Sequence, residues 1–327
     1  MKTYLSAVLV SILSCLILAK VFIPFLKKLK VGQPILSYVK EHSYKEGTPT
    51  MGGLFIVLSS VISFIIFSKQ NNSLAVTSIS VTIAFLIVGF IDDFIKIKFK
   101  NNKGLTPLQK ILFQISIAVI VSVSARLSGI TSIYLPFTKN LVEIGFFSVI
   151  LNVLVFIATV NSVNLTDGLD GLCSSVSIIY LIAISLLTYI EITTNSNYYV
   201  NILEYENLIL FSLCMAGALI GYLAYNTQKA SVFMGDCGSL AIGGAIASIS
   251  IFTSNTLYIP ILGATFVTSA LSVIIQVLHF KRTKKRVFLM APIHHHFQHK
   301  GYSEAKISYC YALITAIISV VIIICAL

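Results

Sequence analysis

The sequence predicts an all-α polytopic membrane protein: ten transmembrane helices, both termini extracytoplasmic, and five cytoplasmic loops that form the site. Three observations carry this. Of 327 residues, 57% are hydrophobic and 11% charged, whereas a soluble domain carries about 25% charged residues. Apolar stretches recur from end to end, each near the roughly 20 residues that cross a bilayer as a helix. Lys and Arg are sorted onto alternate loops. A water-exposed globule is thereby excluded. The formal net charge of +11 resembles a nucleic-acid footprint only if position is ignored.

The ten predicted spans are 4–26, 52–68, 74–91, 107–127, 144–160, 172–190, 207–225, 238–254, 258–279 and 307–326. The first is too long, and lacks the small-residue cleavage site, for a removable signal peptide. No soluble domain or internal repeat interrupts the series, so residues 1–327 read as one transmembrane domain. The segment 128–142, containing Ile133-Tyr-Leu-Pro-Phe137, is expected to form a short outer hairpin. The six Cys have no paired spacing and read as buried thiols rather than a disulfide framework.

Ten spans leave loops 27–51, 92–106, 161–171, 226–237 and 280–306 on one side, holding 17 of the 23 Lys and Arg. Such a bias marks the cytoplasmic face. All five Asp and all six His fall in the same set, counting His279 at its edge. Chemistry is therefore expected on the cytoplasmic side.

Each of these loops carries reactive residue types. Loop 92–106 opens with Asp92-Asp93, followed by Lys96, Lys98, Lys100 and Lys103. Acids at a helix C-terminus oppose the macrodipole and need a cation or nearby lysines. Loop 161–171 has Asn161, Asn164, Asp167 and Asp170 but no Lys or Arg. It reads either as helix capping or as oxygen ligands for a hard cation such as Mg²⁺. Loop 226–237 holds Asn226 and Phe233-Met-Gly235-Asp236-Cys-Gly-Ser239, where glycines let backbone approach a ligand and a helix start favours an anion.

Loop 280–306 carries a basic run, Lys281 to Arg286, and then Pro292-Ile-His294-His295-His296-Phe297. The run alone fits anionic lipid headgroups. Three consecutive histidines lack the i, i+4 spacing of a helical zinc pair and suit phosphate or diphosphate donors better. Loop 27–51 ends in Lys45-Glu-Gly-Thr48-Pro-Thr50-Met-Gly-Gly53, and Gln276 lies one turn inside span nine. Carboxylates for a divalent cation beside Lys, His and helix N-termini for oxyanions are the ingredients of phosphoryl transfer. At that depth a site can take a soluble diphosphate from the cytosol and a lipid phosphate from the bilayer.

The motifs resemble those of the bacterial phospho-N-acetylmuramoyl-pentapeptide transferases, of the polyprenyl-phosphate N-acetylhexosamine-1-phosphate transferase superfamily. The carriers are Lys45 through Gly53, Asp92-Asp93-Phe-Ile-Lys96, Asn161 through Gly171, Phe233 through Ser239, and Ala291 through Phe297. The triple-His segment favours this branch over the relatives that transfer N-acetylglucosamine phosphate. The resemblance implies transfer of phospho-MurNAc-pentapeptide from UDP-MurNAc-pentapeptide to undecaprenyl phosphate in the plasma membrane, giving lipid I and UMP. It implies Mg²⁺ as cofactor and a homodimer, with no nucleic-acid partner.

It also implies roles. Asp236 would bind Mg²⁺, and Asp92 and Asp93 would be the essential acidic pair. Phe233 would stack on uracil, with Asn164, Leu165, Gly235 and Asn226 nearby. Asp167 and Gln276 would line the nucleotide-sugar cleft, in which Asn161 is also expected. Lys45, Thr50 and Lys96 would contact phosphates, and His294, His295 and His296 would flank the substrate, His294 with a catalytic role. Two residues depart from the family pattern: Cys237 stands where Val is usual, and Gln298 where Glu commonly follows the His run. The rival from another class is a transporter, which should place ionisable groups at mid-membrane; here they cluster at one surface.

Overall fold

The computed structural model describes residues 1–28, 47–70, 72–99, 104–138, 140–194 and 201–327. Its helices are α1 (Lys2–Lys28), α2 (Gly53–Phe67), α3 (Ser73–Lys98), α4 (Pro107–Leu127), α5 (Phe147–Thr166), α6 (Leu172–Thr194), α7 (Ile202–Asn226) and α8 (Gly235–Phe252). After a 3-10 turn come α9 (Ile259–Leu262), α10 (Ala264–Thr283), α11 (Ile293–His299) and α12 (Glu304–Ala326). Nine of these helices are long and apolar enough to cross a membrane; α2, at 15 residues, is a shorter apolar helix. The protein is a polytopic all-α membrane protein.

A two-stranded antiparallel hairpin, β1 (Ser132–Tyr134) and β2 (Leu141–Glu143), lies between α4 and α5. The expected hairpin is therefore present. Span nine is divided at Gly263, so that α9 and α10 replace one continuous helix.

The bundle is organised around α8, which is 89% buried and packs against α3 and α5. Its sequence, rich in Gly, Ala and Ser, suits that position, because small residues let helix backbones approach where lipid offers no hydrophobic drive between helices. Peripheral helices such as α1, α10 and α12 leave Leu, Ile and Val side chains exposed, as expected of surfaces facing acyl chains. Four cysteines are buried; Cys310 and Cys325 on α12 are exposed, and all six are free.

The connections gather at two ends. At one, Lys69 pairs with Glu206 (2.6 Å), Asn255 donates to the buried Glu191 (2.7 Å), and Tyr134 N–H bonds Ser254 C=O. At the other lie the α3 and α7 C-termini, the start of α4, the α5–α6 turn and the α8 N-terminus. Several helices overrun their apolar stretches at that end, α3 and α5 by the most. α3 continues to Lys98 and α5 to Thr166, so Asp92, Asp93, Asn161 and Asn164 stand on helices rather than in the expected loops. Lys96 is the physical reason for the first overrun: one turn beyond the acids, it supplies i, i+4 and i, i+3 ion pairs.

Candidate active site

Three carboxylates meet at the polar end of the bundle. Ligand oxygens of Asp92, Asp93 and Asp236 all lie within 4.8 Å of one another. Among the described residues this is the one such group of three. Asp92 and Asp93 come from α3 and Asp236 from the first turn of α8, and the contact depends on Gly89. A Cβ at Gly89 would collide with the Asp236 backbone carbonyl, so only glycine lets α3 cross α8 that closely. Gly235 opens α8 with a φ of +75°, a left-handed conformation that favours glycine. The space its side chain would need is taken by Asp93 and Thr50.

Two ammonium groups hold the acids together. Lys96 Nζ lies 2.6 Å from Asp92 Oδ2, 2.8 Å from Asp236 Oδ2 and 3.7 Å from Asp93 Oδ1. Lys110, from the first turn of α4, lies 2.7 Å from the same Asp236 oxygen. Asp236 Oδ1 accepts from Asn164 Nδ2 at 2.7 Å, and that amide also donates to Ser239 (2.8 Å). Asp92 Oδ1 accepts Leu105 N–H (2.8 Å), while Asp93 accepts Cys237 N–H (3.1 Å). By formal charge, three carboxylates against two lysines leave one negative charge in a largely buried cluster whose candidate ligand atoms are all oxygens. That donor set fits a hard divalent cation.

Beside the cluster is a cavity of about 310 Å³ lined by Asp92, Lys96, Lys110, Gln114, Asn161 and Asp236 among others. Gln114 and Asn161 exchange amide hydrogen bonds across it (2.7 and 3.4 Å). Sequence reasoning missed Lys110, Gln114 and Ser239. The first two carried a signal: Thr106-Pro107-Leu-Gln109 is a capping box, which places Lys110 and Gln114 in the first two turns of a helix starting at the membrane surface.

The α5 end joins this cluster to the histidines. Four residues after Asn164, Gly168 lies against them: a Cβ there would strike His294 and crowd His295. His294 is fully buried on α11, 6.4 Å from Tyr311 and 4.4 Å from His295 between ring centroids. Burial, with the neighbouring His295 a second cause, pushes its pKa well below the usual histidine value, so it stands as a neutral imidazole. His296 is half-buried, and burial followed by Lys300 and His299 lowers its pKa too. Its Nδ1 accepts Leu289 N–H at 3.1 Å.

The remaining expected residues divide by what their polar atoms do. Asn226 is buried, its amide spent on Gly171 N–H (3.0 Å) and the Val232 carbonyl (3.0 Å), so it ties two loops together. Gln276 clamps the segment after α10: its Oε1 accepts Val287 and Phe288 N–H, each at 3.0 Å, and its Nε2 donates to Phe288 C=O (3.1 Å). Phe233 is half-buried, its backbone paired with Pro49 and Gly52. Leu165 and Asp167 are half-buried beside Asn164 and Gly168, and Thr50 is buried. Lys45 lies outside the described residues.

Known sequences match this arrangement. A model for glycosyl transferase family 4 matches residues 74–254, and signature 1 of the phospho-N-acetylmuramoyl-pentapeptide-transferases matches residues 45–57. A phospho-N-acetylmuramoyl-pentapeptide-transferase of Thermoanaerobacter sp. (strain X514) is 42% identical over 317 residues, covering 97% of this chain and 96% of its own. The chain belongs to the phospho-N-acetylmuramoyl-pentapeptide-transferase family. Proteins of the same name from Clostridium botulinum (strain Eklund 17B / Type B) and Helicobacter pylori (strain J99) are 41% and 42% identical. They cover 98% and 88% of this chain, and 95% and 83% of their own. The first family model takes in α3 through α8, hence all three acids and both lysines of this transferase-family chain. The histidines of α11 lie beyond it.

Proposed function

We propose that this chain transfers phospho-MurNAc-pentapeptide from UDP-MurNAc-pentapeptide to undecaprenyl phosphate, forming lipid I and UMP in peptidoglycan synthesis. The observation that carries the reading is the Asp92–Asp93–Asp236 cluster bridged by Lys96 and Lys110 at one end of an apolar bundle. Near-full-length relatives named for this activity support it, and so does the histidine segment that separates this branch from N-acetylglucosamine phosphate transferases.

The reading places the protein in the bacterial plasma membrane as a single domain of ten spans. Its termini are extracytoplasmic and its site cytoplasmic, since 17 of 23 Lys and Arg fall in loops on that side. Homodimers are part of the same reading.

Asp236 and Asp93 would hold Mg²⁺, with Asp92 beside them. The ion would supply positive charge to the diphosphate oxygens. Lys96 and Lys110 would bind the same phosphates, and Lys45 and Thr50 would extend that contact. Phe233 would stack on uracil, with Asn164, Leu165, Gly235 and Asn226 around it, while Asn161, Asp167 and Gln276 line the sugar cleft. An oxygen of the lipid phosphate attacks the phosphorus that carries MurNAc, and the bond to the UMP oxygen breaks. A phosphate monoester has its second pKa near 6, so the nucleophile is largely a dianion at neutral pH. Asp92 therefore orients it or takes a residual proton, and no covalent aspartyl-phosphate is required. His294, His295 and His296 flank the donor.

The test is UMP release by purified protein given undecaprenyl phosphate, Mg²⁺ and either UDP-MurNAc-pentapeptide or UDP-N-acetylglucosamine. Release with the first donor alone is expected. Release with the second alone would assign the chain to the sister activity, and release with neither would sink the reading. Trapping a labelled phospho-MurNAc group on Asp92 in a single turnover would overturn direct attack.

A further inference from the structure

The connection between α3 and α4 returns to the acid cluster. Leu105 N–H donates to Asp92 Oδ1 at 2.8 Å across 13 residues of chain, and Gly104 lies against the same carboxylate. The local sequence explains why that N–H is available. Pro107 restricts the residue before it to extended backbone, and Thr106 has φ −62° and ψ 150°. Thr106 and Gln109 close a capping box: Thr106 N–H bonds Gln109 Oε1 (3.0 Å), and Gln109 N–H bonds Thr106 Oγ1 (3.3 Å). Pro107 has no N–H to satisfy. The entry to α4 is thus pinned by its own residues, and Leu105 N–H, one residue outside it, goes to Asp92.

At Gly104 the decisive matter is space. A Cβ there would lie 2.7 Å from Asp92 Cγ and against both carboxylate oxygens, and these are the three atoms nearest to it. The obstacle is the mobile end of a side chain, so a methyl group would be relieved by rotation of the carboxylate. Gly89 differs, because the obstacle there is the α8 backbone. An alanine at 104 would therefore spare the packing of the bundle and cost Asp92 its place.

The other oxygen of this carboxylate faces charge. Asp92 Oδ2 lies 2.6 Å from Lys96 Nζ and 3.8 Å from Lys110 Nζ. We infer that Gly104 and Leu105 are positioning residues for Asp92. The Leu105 N–H anchors Oδ1, the bare Cα of Gly104 leaves room for the carboxylate, and Oδ2 is thereby held toward the two lysines. The two oxygens then have different work, Oδ1 as anchor and Oδ2 as the one presented to the lipid phosphate. Two fixed points prevent rotation about Cβ–Cγ, and orientation matters because a displacement of about 1 Å can cost a hundredfold in rate. The role toward the lipid phosphate rests on the transferase reading; the anchoring does not.

The experiment compares wild type, Gly104→Ala and Asp92→Ala in lipid nanodiscs. Hydrogen exchange at the Leu105 amide is read by ¹⁵N-leucine NMR, with the signal assigned by Leu105→Ile, alongside the thermal midpoint and UMP-release kinetics. Exchange is expected to be slow in the wild type. It should quicken at least about tenfold in Asp92→Ala, the scale for losing one hydrogen bond to a charged group. In Gly104→Ala exchange should quicken as well, the midpoint should hold, and kcat should fall at least about tenfold with KM for the UDP donor unchanged.

Fast exchange in the wild type, or equally slow exchange in Asp92→Ala, would overturn the anchoring. A Gly104→Ala chain that unfolds, or melts below the wild type, would place the clash on the backbone and overturn the positioning role. An unchanged kcat or a raised KM in that variant would do the same. Exchange and midpoint need no turnover, so a wild type that releases no UMP would sink the transferase reading and leave the anchoring to be decided by these two.

Discussion

Lys110 Nζ and Asp236 Oδ2 lie 2.7 Å apart although 126 residues separate them in the chain. The pair joins the first turn of α4 to the first turn of α8 and completes the neutralisation that Lys96 begins. Without it, three carboxylates would face a single ammonium group. Lys110→Met should therefore lower UMP release by about tenfold or more, a loss of roughly 1.4 kcal/mol or greater in transition-state stabilisation. Lys110→Arg should retain most activity because the charge remains. Equal rates for wild type and Lys110→Met would show that this lysine has no part in turnover.

Asp236 accepts from Lys96, Lys110 and Asn164 at once, which leaves its carboxylate the most heavily supported charge in the cluster. Asp236→Asn keeps the shape and removes the charge. Turnover should fall by at least about a hundredfold, on the scale of losing a fixed electrostatic group in an active site, and added Mg²⁺ should not restore it. Membrane insertion and the circular dichroism spectrum should be unchanged. Mg²⁺-dependent release at the wild-type rate would remove Asp236 from the metal site.

Gly89 tests the same cluster by steric means. A methyl group there would meet the Asp236 carbonyl, so Gly89→Ala should force α3 from α8 and separate the acids. Overpacking of this kind costs roughly 1–3 kcal/mol, visible as a lowered thermal midpoint in detergent, and it should abolish most UMP release. A Gly89→Ala protein with the wild-type midpoint and activity would mean that the two helices are not held at this distance.

His294 gives a pH dependence with a definite sign. Burial depresses its pKa in the folded protein below the usual 6.5, so from that pH downward the unfolded chain binds a proton that the folded chain refuses. Stability is thus fully present above about 6.5 and falls as the solution is acidified, by up to about 1.4 kcal/mol per pH unit until the folded ring also titrates. The thermal midpoint should drop between pH 7.5 and pH 5.5, and the slope should flatten in His294→Phe. An identical slope in that variant would assign the acid sensitivity to other groups.

The spans were legible because hydropathy is a local property: each run of apolar residues announced a helix regardless of its neighbours. The acids were legible by type and by side, and Lys96 by its spacing from Asp92. What remained hidden was tertiary. Nothing in Gly89 declares that the α8 backbone passes beside it. Lys110 stands near a span end outside every motif, although the capping box at Thr106 marked where its helix begins. Asn226 and Gln276 were placed at the site by the family resemblance, but only their hydrogen bonds show amides occupied in holding backbone. The helix overruns were missed for a related reason: α3 and α5 are continued by polar contacts at the bundle end, which an apolar window does not register.

The ion pairs also have an order in time. Lys96 reaches Asp92 within one turn of α3, so that pair can close as soon as the helix leaves the ribosome and enters the membrane. Asp236 lies 140 residues further along the chain from Lys96, and Lys110 is made early as well. The nascent protein therefore carries its two exposed acids already accompanied by bases, and the third acid arrives last, on the helix that the others surround. Docking of α8 would then be the moment at which the three-acid cluster first exists, before the histidine segment of α11 is made.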